Sequence, residues 1–416
     1  MCTRQKLNAM KYFLFFLISL TNFFLFSQVE KQSNTNKEPN NNVAPSVNGK
    51  FNSVNNSNST YLGTQPVATD SVQFKNDAKV SKAKQNKDQA TRKSENTEKK
   101  SSQLNSTYSN YSSVQKKAKT QSTQRSPTEE QQSQINQLAE DMITIDPNSV
   151  EANIGYYEAG NYDIKRSSYI DNASKISPNH PDVLKYKVAN AIILQDTAEA
   201  KVNLNAMAAQ QVLTPEIQLY GQDIVQSACG NSILITHGFM DNYGATFSQI
   251  NNTAHCDHDL TIVSLDFLQS ETYREVLKQK GYQLPTNEKV DVVYLKDFCE
   301  KNEEKKIALS MTIPKPYLEP LVPKLSPFGI VFEYRASPER TFNEVEYCWN
   351  EKLNKKSIRG YSSPTSNSLA ANYLPAMFYL LNYYRDTGQL KKQAEMEGEI
   401  EFVKQKAGLL QKKKGY

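Results

Sequence analysis

Between residues 28 and 128 the chain offers almost nothing from which to build a core. Stretches such as NSVNNSNST and KVSKAKQNKDQATRKSENTEKK hold few aliphatics and almost no hydrophobic periodicity. Such a segment buries too little apolar surface to offset the entropy of ordering it. The expectation for 28–128 is therefore a long disordered, basic linker. A flexible chain of about 100 residues spans roughly 50–60 Å root-mean-square. A packed fold must be sought in 129–416, which reads as ordinary globular sequence.

Charge follows the same division. The 28–128 stretch has 16 Lys/Arg against 7 Asp/Glu, and residues 1–27 add Arg4, Lys6 and Lys11 with no acid. The whole chain is +5, so with +3 and +9 on these two segments the remainder is −7. A compact basic nucleic-acid domain is excluded, because the excess positive charge sits on the segment expected not to fold. That segment would favour weak, salt-dependent contact with a membrane surface or anionic polymers.

Residues 12–26 (YFLFFLISLTNFFLF) form a single apolar run after Lys11 and before the small residue Ser27. It falls short of the roughly 20 residues a membrane helix needs. Charged start, apolar middle and small residue read 1–27 as a signal peptide, with an uncleaved N-terminal anchor as the alternative, and the expected destination is export, most simply to the periplasm, with outer-membrane association or secretion also open. Beyond it lie Cys229, Cys256, Cys299 and Cys348. An even number in an exported chain permits two disulfides, in three connectivities that spacing does not separate, and four buried thiols fit equally well. The absence of CxxC speaks against a zinc ribbon or a thioredoxin-type centre.

From residue 129 the pattern turns helical. Ile135, Leu138, Ala139, Met142 and Ile143 fall on one helix face, and the run stops at Asp146–Pro147–Asn148. A second run holds Val150, Ala152, Ile154, Tyr156, Tyr157, Gly160 and Tyr162. A third holds Ile170, Ala173 and Ile176 and stops at Ser177–Pro178–Asn179. A fourth contains Val183, Leu184, Tyr186, Val188 and Ala189, and Lys201–Ser227 supplies one more pair. Helix pairs closed by Asp-Pro-Asn turns resemble tetratricopeptide repeats, so 129–228 is expected to stack as repeats.

Strand signals follow over 229–360: Ser232–His237 (SILITH), Leu260–Leu265 (LTIVSL), Val290–Leu295 (VDVVYL), Lys306–Met311 (KIALSM) and Ile330–Tyr334 (IVFEY). Alternation with helices, one of them around Tyr273, Val276 and Leu277, predicts an α/β domain with a mostly parallel sheet. ILITHGF looks like the strand and oxyanion turn of an α/β-hydrolase, but no G-x-S-x-G elbow occurs, so a hydrolase is disfavoured. His255, Cys256, Asp257 and His258 stand too close together to close a metal shell alone and read as a polar turn. No phosphate-binding glycine motif is present, so no cofactor is expected.

The blocks NSILITHGFMDNYGATFSQI, LTIVSLDFLQSETYREVLKQKG and KIALSMTIPKPYLEPLVPKLSPFGIVFEYRA carry a resemblance. In order and spacing they are similar to the soluble C-terminal region of a family of polytopic bacterial envelope proteins related to protein O-mannosyltransferases. There the first block reads like ITNGDNDTYPLWY. The likeness covers roughly 230–410 and includes the closing helix pair, with Leu369, Tyr373, Met377, Leu380 and Leu381 in one stripe and a turn at Asp386–Gly388. Hence 361–416 is expected to be a helical hairpin. The family's membrane half is missing, so its transfer activity is not implied. What the resemblance implies is an extracytoplasmic α/β module framed by helices, with Asp241, Asn242 and Tyr243 at the end of the first strand.

The functional expectation is an exported, non-enzymatic scaffold with protein partners in the cell envelope, such as a secretion or gliding machine. The alternative is a glycan-binding or glycan-modifying protein. Its ligand-binding candidates are His237, Asp241, Asn242, Tyr243 and Asp266, where open α/β sheets take ligands at strand carboxyl ends.

Overall fold

A computed structural model describes residues 98–120, 124–254, 256, 259–336 and 341–410. The expected signal peptide and residues 28–97 of the expected linker lie outside the described residues. No helix among the described residues is long and apolar enough to cross a membrane.

The expectation of disorder fails at the end of the linker. Residues 98–119 form helix α1. Leu104, Tyr111 and Ala118, seven residues apart, lie on one face and are buried against Ile135, Ala139, Met142 and Ala152. The Tyr111 hydroxyl donates to the Gly155 carbonyl at 2.9 Å. Three apolar side chains in a Ser/Lys/Gln-rich run give a weak pattern, but a face at period seven needs no more.

Six helices follow. They are α2 (Glu129–Ile145), α3 (Val150–Glu158), α4 (Ser167–Ile176), α5 (Pro181–Ile193), α6 (Thr197–Ala209) and α7 (Pro215–Ala228). Consecutive helices from α2 to α6 pack on one another. Their starts are set by side-chain caps: Thr128 and Gln131 form a capping box on α2, Ser149 caps α3, and Asp196 caps α6.

The sheet has five strands in the order β2-β1-β3-β5-β4: β1 (Ile233–Thr236), β2 (Thr261–Ser264), β3 (Ile307–Ser310), β4 (Leu325–Phe328) and β5 (Val331–Tyr334). It is mixed, not mostly parallel. β1 pairs in parallel with β2 and β3, whereas β5 pairs antiparallel with both β3 and β4. The reason is a hairpin: β5 turns back at Gly329–Ile330 and inserts between β3 and β4. Gly329 has φ +56°, and a Cβ there would lie 2.2 Å from Ser227 Oγ, so the turn admits only glycine. β4 carries Pro327 and sits at the sheet edge, the one place where a strand tolerates a missing N–H.

A second correction concerns VDVVYL, which is not a strand. Asp291 accepts from the N–H groups of Val293 (3.0 Å) and Tyr294 (2.9 Å) and so starts a helix, α10 (Val292–Lys301). Tyr294, Leu295, Phe298 and Cys299 are its buried face. The short β-branched run mimicked a strand, and the helical spacing emerges only further along.

Between the strands run α8 (Phe239–Ile250) and α9 (Glu271–Gln279), and the chain closes with α11 (Leu374–Asp386) and α12 (Leu390–Lys406). Helices cover both faces of the sheet. Ile233, Ile235, Val263, Ile307 and Leu309 pack with Leu184, Val188, Leu204 and Ile217 of the helical region and with α9 and α10. On the opposite face Leu234, Ala308 and Val331 pack with Ile224 and Val225 of α7 and with Tyr373, Met377, Leu380 and Ile400. The sheet thus shares both its cores with helices that precede and follow it.

Cys229 and Cys256 form a disulfide with Cα atoms 5.4 Å apart. Cys299 and Cys348 are buried in different cores, which leaves one bridge among the described residues rather than two. Of His255–His258, only Cys256 falls among the described residues.

Candidate functional site

β1 ends at Thr236, and the chain turns through His237 and Gly238 into α8. Asp241 organises this turn. Its carboxylate accepts from the backbone N–H groups of His237 (2.7 Å), Gly238 (2.9 Å) and Asn242 (2.9 Å) and from Thr312 Oγ1 (2.5 Å). With four donors and full burial it is a structural anchor. Asn242 donates from Nδ2 to Thr236 Oγ1 at 2.9 Å, and the Tyr243 hydroxyl donates to the Lys185 carbonyl at 2.8 Å. These bonds tie α8 to the end of β1 and to α5.

His237 has a buried Nε2 without a hydrogen-bond partner among the described residues. Burial pushes its imidazole below the usual histidine range. The nearby Arg125 guanidinium pushes the same way, against the opposite pull of Asp266 and Asp241. The ring is thereby held neutral near pH 7.

Asp266, just past β2, accepts through Oδ1 from Arg125 Nε at 2.8 Å and also pairs with the same arginine's NH2 group. Arg125 reaches it from residues 124–127, which run across the strand ends as a strap. The Arg125 N–H donates to the Val290 carbonyl at 2.8 Å, and Gln124 bridges to Asp291. Burial works against the Arg125 charge, but Asp266 outweighs it, and the arginine holds its proton more firmly than usual.

Beneath the strap lies a cleft of about 200 Å³. It brings together Asn242, Tyr243 and Asp266 from the candidate set; His237 and Asp241 stay behind its wall. Six of its lining side chains form a chain of rings. Successive centroid distances are 5.0 Å for Tyr157–Tyr186, 6.2 Å for Tyr186–Tyr162, 5.1 Å for Tyr162–Phe267, 6.4 Å for Phe267–Tyr243 and 5.0 Å for Tyr243–Phe239. At the far wall Lys119 pairs with Glu158, and Lys185 Nζ lies 4.8 Å over the Tyr186 ring. Burial works to raise the Glu158 pKa, but the Lys119 charge beside it holds the carboxyl below the usual range.

Sequence reasoning missed Lys119 and Arg125, because they lie in a run read as unstructured. It read Tyr157, Tyr162 and Tyr186 as repeat core, and nothing in their spacing distinguishes a core ring from a cleft ring. Among the described residues no cluster of His, Cys, Asp and Glu is arranged to hold a metal. Set against known proteins, the chain significantly matches no family model, no curated protein and no solved structure.

Proposed function

We propose that the chain is an exported recognition and scaffolding protein of the bacterial cell envelope, a subunit or accessory of a larger assembly such as a secretion or gliding machine. The observation that carries this reading is the commitment of the acids at and around the cleft, two beside the ends of β1 and β2 and one on α3. Asp241 is held by four donors, Asp266 by Arg125 and Glu158 by Lys119. Carboxylates fixed in this way position and recognise; as general bases or nucleophiles they are poorly placed. The apolar run after Lys11 supports export, and the Cys229–Cys256 disulfide fits an oxidising compartment. The helices leave Ile176, Leu194 and Val202 exposed in water, apolar side chains available to a protein partner.

The test is co-purification of the tagged full chain from solubilised envelopes. Under this reading, defined envelope proteins accompany the chain in fixed ratio, and charge substitution at Leu194 and Val202 weakens the association without lowering stability. A chain recovered alone from the soluble cytoplasmic fraction would contradict it.

A further inference from the structure

The cleft beneath the strap is a site for which the envelope reading gives no occupant. Its size excludes much: about 200 Å³ is smaller than the roughly 300–1,000 Å³ of sites that take drug-sized ligands. One small ring fits within it; a nucleotide or a long acyl chain would extend beyond it. Its place, outside the carboxyl ends of β1 and β2, is where open sheets with parallel strands take ligands.

Its charge narrows the choice further. Two of the three cations lining the cleft are already paired, Arg125 with Asp266 and Lys119 with Glu158, which leaves only Lys185 in excess. A phosphate or carboxylate would have to compete with built-in carboxylates for both paired cations. A neutral occupant rich in hydroxyl groups needs no such exchange. A hydroxyl donates to a carboxylate and accepts from a guanidinium or ammonium at once, and hydrogen bonds to charged partners are the stronger kind. Asp266 receives both arginine nitrogens on Oδ1, which keeps Oδ2 available as an acceptor. Tyr162 and Phe239 are the half-buried members of the ring chain and offer apolar faces to the C–H side of a ring.

We propose that this cleft binds a single neutral sugar ring, held between the Arg125–Asp266 and Lys119–Glu158 pairs and against Tyr162 and Phe239.

The experiment uses the purified full chain and is independent of any envelope partner, so its failure leaves the scaffold reading untouched. Neutral hexoses and N-acetylhexosamines are titrated while thermal unfolding and tyrosine fluorescence are followed. Glucuronate and inorganic phosphate are run at matched ionic strength, with short neutral oligosaccharides in parallel. The expected result is a saturable rise in midpoint with at least one neutral sugar. Asp266→Asn should weaken that response about tenfold or more. Tyr162→Leu, which keeps the cleft apolar but removes the ring, serves as the second variant should Asp266→Asn unfold, and should weaken it several-fold. Leu390→Ser on exposed α12 should leave it unchanged. Tighter binding of an oligosaccharide than of its monosaccharide would identify the source as a polymer end, and equal binding a free sugar; both uphold the site. No response to any neutral sugar would overturn the proposal. So would tighter binding of glucuronate or phosphate, or a response unaltered in both cleft variants.

Discussion

A Cβ on Gly221 would lie 2.1 Å from the carbonyl carbon and oxygen of Gly244, so α7 and α8 meet backbone against backbone. This contact sets how closely α7 packs on α8, the helix that follows β1. Gly221→Ala forces the helices apart and should cost about 3 kcal/mol or more. It reads out as a lower urea midpoint at unchanged slope. Gly398, on α12, meets nothing within 4 Å, and Gly398→Ala should instead stabilise by about 0.5–1 kcal/mol.

Asp241→Asn replaces an oxygen that faces N–H donors with an NH2 group. It should cost about 3 kcal/mol, since hydrogen bonds to a charged acceptor contribute roughly 1.5–3 kcal/mol each and not all four are lost. Thr312→Ala removes one donor only and should cost about 1 kcal/mol. If Asp241→Asn proved as stable as the parent in chemical denaturation, the anchoring role would be wrong.

His237 gives the pH dependence a definite sign. Its folded pKa lies below the unfolded value of about 6.5. Between the two values the unfolded chain holds the extra proton, so stability rises with pH through that window and levels off above it. His237→Gln should flatten the slope of stability against pH just below the unfolded value of about 6.5. A slope unchanged by the substitution would mean that the imidazole is not held neutral.

The Cys229–Cys256 bridge closes a loop over a sequence separation of 27 residues. Its removal as a double Ser variant should cost roughly 3–4 kcal/mol on the chain-entropy estimate. Acid quenching of growing cells followed by alkylation should find these two cysteines blocked. Rapid labelling of both in intact cells would place the chain in a reducing compartment and remove one support for export.

Much of the helical region was legible because its signals are local: Asp146–Pro147–Asn148 stops one helix, and Ile135, Ala139 and Met142 line its buried face. The β1, β2, β3 and β5 cores were legible for the same reason. The antiparallel insertion of β5 was not, since it depends on Gly329 meeting Ser227, a contact across 102 residues. VDVVYL misled because Asp291 acts as a cap, which residue type alone does not reveal. The cleft was half legible. Asp266 and Asn242 follow from their place at strand ends, whereas Arg125 arrives from a segment whose composition argues against order. Asp241, chosen as a ligand contact, is instead consumed by the turn that it stabilises.

The central claim is that this chain works by contact with other envelope macromolecules. In-cell crosslinking of the full chain, with mass-spectrometric identification of the linked peptides, tests that claim most directly. The account predicts links from the α4–α6 region to a small, reproducible set of exported proteins, lost when Leu194 and Val202 are both changed to Glu. Links confined to the chain itself, or to cytoplasmic proteins, would contradict it.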